Sequence, residues 1–188
     1  DKIYLKTLCD TLQSFWERSL TKPDGRPYTK LMINMPPRHG KSRTLINFCQ
    51  WVLGKNGTER IIECSYNDDS AGDFSKYTRD GITEQHQEKK GYVFSDFFPD
   101  VKLKYGSGSY WKWALEGQHF NYLGAGVQGQ ITGKGGTIRI IDDPVKDAEV
   151  AFNEDALDKL WIWYTGTFLS RSDAETGGHP LDIIVMTR

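Results

Sequence analysis

Met35-Pro36-Pro37-Arg38-His39-Gly40-Lys41-Ser42 is the stretch on which the reading of the fold turns. It lies between the apolar run LMINM (31–35), which reads as a buried strand, and SRTLINFCQWVLG (42–54). That second stretch reads as a helix with Leu45, Ile46, Cys49, Val52 and Leu53 on one side and Gly54 as its stop signal. A strand, a loop and a helix in this order aim successive backbone N–H groups and the positive end of the helix at one point, where an anion can be held. Gly40 lets the backbone approach phosphates, Lys41 reaches the β and γ oxygens, and the Ser42 hydroxyl holds Mg²⁺. The nucleotide-binding stretch is then Pro37, Arg38, His39, Gly40, Lys41, Ser42 and Arg43. One position departs from the G-x-x-x-x-G-K-[ST] pattern: Met35 stands where its first glycine belongs. A bare Gly-Lys-Ser is common by chance, so the loop needs a second element beside it.

Ile138-Arg139-Ile140-Ile141-Asp142-Asp143 supplies one, an apolar strand ending in two carboxylates. Asp142 would hold the metal's water shell, and Asp143 would orient and deprotonate an attacking water. Asp-Asp-Pro is also good turn chemistry, and that plainer reading stands beside the catalytic one. Asp143 is one methylene shorter than a glutamate, so the water or the strand has to sit closer. A further apolar run, LDIIVM (181–186), is expected between the strand before the loop and the strand ending in Asp142, as in hydrolysing motor ATPases. Thr187 and Arg188 at its carboxyl end would lie beside the γ-phosphate and sense its loss.

Residues 3–16 read as a short amphipathic helix and RIIECSY (60–66) as a buried strand. Asn67 to Ser70 have cap chemistry, and 71–88 read as a helix with Ala71, Phe74, Tyr77 and Ile82 inward. From 101 the period changes to two: VKLKY, SYWKWALE and HFNYLGA predict a β-hairpin or meander. A glycine-rich loop (124–136) follows, and 154–170 read as an aromatic-rich helix containing Leu157, Leu160, Trp161 and Tyr164, with Trp161, Trp163 and Tyr164 as core and subunit-contact residues. Gly177-Gly178-His179-Pro180 turns the chain into the last strand. Strands alternating with helices predict a three-layer α/β domain: a mostly parallel sheet covered on both faces, with an inserted β-hairpin and an additional central strand.

The 188 residues suffice for one such domain. The chain opens at Asp1 and stops at Arg188 after an apolar run, which reads as one domain (1–188) cut from a longer protein. Twenty-four Lys and Arg against 25 Asp and Glu exclude a histone-like binder with a wholly basic surface, though not a local basic groove. No apolar run approaches the ~18 residues of a membrane span. Cys9, Cys49 and Cys64 are odd in number and far apart, and fit a reduced cytosolic setting rather than a disulfide framework or a zinc site.

Pro-Pro-Arg-His-Gly-Lys-Ser, Ser65-Tyr66 followed by Arg79, Thr132-Gly133 before Ile-Ile-Asp-Asp-Pro, and the final Met186-Thr187-Arg188 resemble, from about 28 to 188, the large terminase subunit of tailed bacteriophages. The resemblance is to its N-terminal ATPase domain, a P-loop NTPase with an additional central strand; no nuclease carboxylate cluster can be assigned, so a C-terminal nuclease domain is expected outside this chain. It implies Mg²⁺-dependent ATP hydrolysis that drives double-stranded viral DNA into the procapsid. The implied partners are DNA, the portal protein, the small terminase subunit and further copies in a ring on the portal, in the host cytoplasm and transiently on the procapsid. By the same resemblance Lys41 and Ser42 take the triphosphate and Mg²⁺, Asp142 the metal, Asp143 is the catalytic carboxylate and Thr187 belongs to the coupling motif. An arginine finger is expected, with Arg38 as its candidate in cis and Arg79 in trans. Gln13 or Tyr28 are candidates to contact adenine. The alternatives are another P-loop remodelling ATPase, helicase-like, a kinase, or a non-hydrolysing DNA-binding or scaffold module.

Gly124-Ala-Gly126-Val-Gln-Gly129 matches G-x-G-x-x-G, but the sequence after it leads to a strand, not to the helix that a dinucleotide site needs. Its loop is either bland or moves with nucleotide state, with Lys134 as its contact residue. Lys102, Lys104 and Lys112 interleaved with Tyr105, Tyr110, Trp111 and Trp113 can bind single strands, although a solvated face of the meander gives the same mixture and is the favoured reading. His86, His119 and His179 show no metal-ligand spacing, and His39 reads as a loop residue rather than a general base.

Overall fold

Short runs with apolar side chains on both faces favour parallel pairing, because crossover helices then cover both sides of the sheet. The computed structural model describes residues 2–86, 91–107, 109–172 and 179–187. Along the chain lie α1 (Ile3–Trp16), β1 (Lys30–Met35), α2 (Lys41–Lys55), β2 (Ile61–Ser65), α3 (Asp68–Thr83), α4 (Phe94–Phe97), β3 (Lys112–Trp113) and β4 (Tyr122–Gly126). These are followed by β5 (Ile138–Asp142), α5 (Ala148–Ala151), α6 (Glu154–Trp163), a π-helical turn (Tyr164–Phe168) and β6 (Leu181–Thr187). The sheet order is β1-β6-β5-β2-β4-β3, parallel except for β3. The last strand in sequence thus lies between the first strand and the one that ends in Asp142, as expected.

Two cores make the three layers. Ile33, Ile61, Ile140, Ile183 and Val185 face α1, α2 and α3, while Ile62, Cys64, Ala125 and Ile141 face Trp163 and Phe168. Arg139 of β5 and Asp182 of β6 are buried as a pair between the two strands, and the guanidinium also donates to the carbonyls of Phe168 and Leu169. Among the described residues no helix is long and apolar enough to cross a membrane.

Several expectations need correction. The 31–35 strand is only partly buried: β1 lies at the edge of the sheet beside β6, with Ile33 inward and Met32 on the outer face 60% exposed. The meander forms as a Leu103–Leu115 bridge and the two residues of β3 set against Tyr122 and Leu123. Its third limb, however, is β4, a full member of the parallel sheet beside β2. Glycine makes this possible: a Cβ on Gly124 would lie 2.9 Å from the Ala71 carbonyl oxygen, and one on Gly126 2.9 Å from the Asp68 nitrogen, so α3 packs directly on β4. Helix α2 runs through Gly54, where the missing side chain admits the Phe98 ring rather than ending the helix. Helix α3 starts at Asp68, because the Asn67 side chain accepts the Ser70 N–H at 2.9 Å, and it ends at Thr83, with Tyr77 exposed. The 154–170 helix divides into α6 and the π-helical turn, which buries Trp163 and Phe168 and leaves Leu157 and Trp161 outside. Gly177, Gly178 and Arg188 lie outside the described residues.

Candidate functional site

Strands β1, β6 and β5 finish side by side, and the functional side chains gather at their carboxyl ends. The chain leaves β1 through a bend in which Arg38 (φ 61°) and Gly40 (φ 84°) take left-handed conformations. Gly40 meets that requirement without strain, and the Leu5 side chain of α1 lies 3.6 Å from where its Cβ would be. Thr44 returns to the Gly40 carbonyl through both its N–H and its hydroxyl, each at 2.9 Å. His39 is held by the Pro37 carbonyl at 2.8 Å, and its ring faces Tyr4 of α1 at 5.8 Å. No side chain caps α2 and no acid lies in its first turn, so its leading N–H groups are available to an anion.

Lys41 and Ser42 each meet one of the two acids. The Lys41 ammonium, on a residue only 7% exposed, donates to Asp143 Oδ2 and to Thr187 Oγ1. Thr187 also donates to Asp143, from its N–H to Oδ1 at 2.6 Å and from its hydroxyl to Oδ2 at 2.6 Å. Ser42 Oγ donates to Asp142 Oδ2 at 2.7 Å, while Asp142 Oδ1 is buried with no partner among the described residues. Asp143 itself has φ 47°, a strained conformation for a non-glycine residue, and its N–H donates to the Val185 carbonyl of β6 at 2.9 Å.

The two neighbouring acids are pushed in opposite directions. Burial raises the Asp142 carboxyl above its ordinary value; the Ser42 hydrogen bond offsets part of this and the Asp143 charge adds to it. At Asp143 burial also pushes upward, but hydrogen bonds from Lys41 and Thr187 outweigh it and hold the carboxyl below its ordinary value.

This arrangement can hold an anion at the start of α2 and a hard divalent cation between the Ser42 hydroxyl and the orphaned Asp142 Oδ1. Among the described residues no three His, Cys, Asp or Glu side chains cluster for a metal. A cation here would draw its remaining oxygens from a ligand or from water, which is how Mg²⁺ is usually held. A cleft of about 320 Å³ opens beside the acids, lined by Ser42, Ser65, Tyr66, Asp73, Asp142 and Asp143 among others.

Not every residue singled out in the sequence converges here. Arg38 is exposed on the loop and makes no ion pair among the described residues. Arg43 faces a different groove, of about 920 Å³, between α2, α3 and α4. Arg79 lies with its guanidinium 4.2 Å from the Tyr110 ring centre and donates to Asp80, so it is turned toward the β3 edge. Gln13 is bonded to Glu17 and Tyr28 lies beneath Lys22; the α1 residues that meet the loop are Tyr4 and Leu5. Lys134 is half-buried in the loop after β4. Ser65 had only its place in a motif, and Glu63 no assignment at all. The signal for Glu63 was present, a lone acid inside an otherwise apolar strand. The sequence matches no protein-family model, and no curated protein matches it significantly.

Proposed function

We propose that the chain is a P-loop ATPase of the additional-strand class that hydrolyses ATP with Mg²⁺ at the carboxyl ends of β1, β6 and β5. The observation that carries this reading is the linked set Lys41–Asp143–Thr187 and Ser42–Asp142, which gathers a phosphate-binding lysine, a metal-binding hydroxyl and two acids from three adjacent strand ends.

In the resting arrangement the Lys41 ammonium is neutralised by Asp143. A triphosphate in the 36–42 loop brings greater negative charge to the first N–H groups of α2, and the ammonium moves from the carboxylate to the phosphate oxygens. Asp143 then loses the contact that does most to lower its pKa and becomes a better base, while both Thr187 donors keep it in place. From there it orients the attacking water and takes its proton. Ser42 and Asp142 Oδ1 would hold Mg²⁺, which supplies charge neutralisation at the phosphates when bound. Arg38, on the loop itself, can place a guanidinium against the γ-phosphoryl, an effect worth about 10³–10⁵ in rate. When the γ-phosphate leaves, Lys41 returns to Asp143 and Thr187, so the nucleotide state is felt at the last residue of β6.

The motif resemblance supports a packaging-motor form of this reading, in which that change at β6 is used to move double-stranded DNA through the portal, by a ring of subunits that also engages the small terminase subunit. The test is phosphate release from Mg²⁺-ATP, with and without duplex DNA. Expected are turnover by the parent chain, stimulation by duplex, and loss of both ATP binding and turnover in Lys41→Ala. Binding without turnover would make the chain a non-hydrolysing module, and turnover indifferent to DNA would leave an ATPase of another kind.

A further inference from the structure

Strand β2 carries an acid in the middle of the sheet. Glu63 is 0% exposed, lies between Ile62 and Cys64, and pairs in register with Ile140 of β5. Its Oε1 accepts the Ser65 hydroxyl at 2.5 Å, and its Oε2 has no partner among the described residues. Ser65 is the last residue of β2. It is buried, pairs in register with Asp142, and lines the cleft together with Ser42 and Asp143. A serine hydroxyl rotates among three staggered positions unless something fixes it, and here the fixing group is a carboxyl that an aliphatic side chain would replace at lower desolvation cost. The bond to Glu63 uses one side of the hydroxyl and leaves its remaining capacity for the cleft.

We propose that Glu63 is a positioning residue: its hydrogen bond holds the Ser65 hydroxyl beside Asp142, where that hydroxyl orients the water on which Asp143 acts. The inference rests on the hydrolytic reading above and extends it to a strand to which that reading assigns no part. Burial pushes the Glu63 carboxyl well above its ordinary range, against the opposing pull of the Ser65 hydrogen bond and with the nearby Asp142 charge adding to it.

The test compares kcat, KM, equilibrium ATP affinity and melting temperature for the parent, Glu63→Gln, Glu63→Leu, Ser65→Ala, Ser65→Thr and the Glu63→Leu/Ser65→Ala pair. Glu63→Gln keeps an oxygen acceptor and is expected to retain the parent kcat within about twofold, whereas Glu63→Leu and Ser65→Ala each lower kcat about tenfold, as a displaced reacting group does. ATP affinity and KM stay within about twofold in all of them, and the double variant is no slower than the worse single one, since both remove the same interaction. Ser65→Thr, which keeps a hydroxyl, recovers most of the rate. If Glu63→Leu folds and turns over like the parent, or if the two losses multiply, the assignment is overturned. If Glu63→Leu does not fold, the contrast between Ser65→Ala and Ser65→Thr decides, with equal rates overturning it. A parent chain that binds ATP without turnover overturns the hydrolytic reading and this one with it. A parent that turns over while these contrasts vanish overturns this one alone.

Discussion

The chain at the two ends of β5 and β6 is joined by side chains, ionically at one end and by hydrogen bonds at the other, and the two joints differ in burial. At the amino ends Arg139 and Asp182 meet at 2.7 Å with side chains 3% exposed on both sides, and the guanidinium also reaches the carbonyls of Phe168 and Leu169 at 3.0 and 2.8 Å. At the carboxyl ends Asp143, with its side chain 33% exposed, is joined to Thr187 and shares Lys41 with it. The inner joint is buried and closed by the Phe168 and Leu169 carbonyls, so it holds the register of the two strands. The outer joint keeps two donors from Thr187 on Asp143 and a third, from Lys41, that a stronger anion can draw away.

The largest expected effect breaks the outer joint. Asp143→Asn keeps ATP binding and lowers turnover by about 10²–10⁴, the usual contribution of a general base; a parent-like rate in this variant would remove Asp143 from the chemistry. Next comes the inner joint. Arg139→Met leaves Asp182 buried and uncompensated, which costs about 3–5 kcal/mol and lowers the melting temperature by roughly 10 °C or more for a chain of this size. The pair Arg139→Met/Asp182→Leu should recover most of that loss, whereas a neutral single variant would show that the anchor is not needed.

The third prediction separates the acids by pH. The folded pKa of Glu63 lies above its unfolded value, so its share of stability is complete below the ordinary glutamate pKa and is lost as pH rises toward the folded value. Across that window the slope is about 1.4 kcal/mol per pH unit. Asp143 has the opposite sign: its contribution is present above the ordinary aspartate pKa and disappears as pH falls through its lowered folded value. Melting curves from pH 4 to 9 should show Glu63→Gln flattening the alkaline fall and leaving the acid side unchanged. The smallest effect belongs to Thr187→Val, which keeps the shape and removes the hydroxyl from the outer joint; turnover falls about tenfold, with stability altered by about 1 kcal/mol. Unaltered turnover there would detach β6 from the site.

Much of this was legible one stretch at a time. The loop at 36–42 and the acids at 142 and 143 stand out because a phosphate-binding turn and a strand ending in carboxylates are local patterns, written in adjacent residues. Helix α1 spans the range its periodicity indicates, and α2 departs only at its ends. What misled was context. Gly54 resembles a stop signal and instead admits an aromatic ring; the alternation of HFNYLGA resembles a hairpin limb, and Gly124 within it and Gly126 just after it let α3 close over a strand of the parallel sheet. Arg79 lies on the expected helix, but Tyr110, thirty-one positions later, takes its guanidinium.

The sequence alone determined which side chains are chemically able to hold a phosphate, a divalent cation and a water, since residue type and short spacing set those capacities. Tertiary structure decided which of them meet. Parallel pairing of β6 between β1 and β5 brings Thr187 to Asp143 and Lys41, and burial at the sheet centre pushes the Glu63 carboxyl upward where it meets the Ser65 hydroxyl. The physical reason is that pairing and desolvation depend on residues far apart in the chain, whose contacts no local period records.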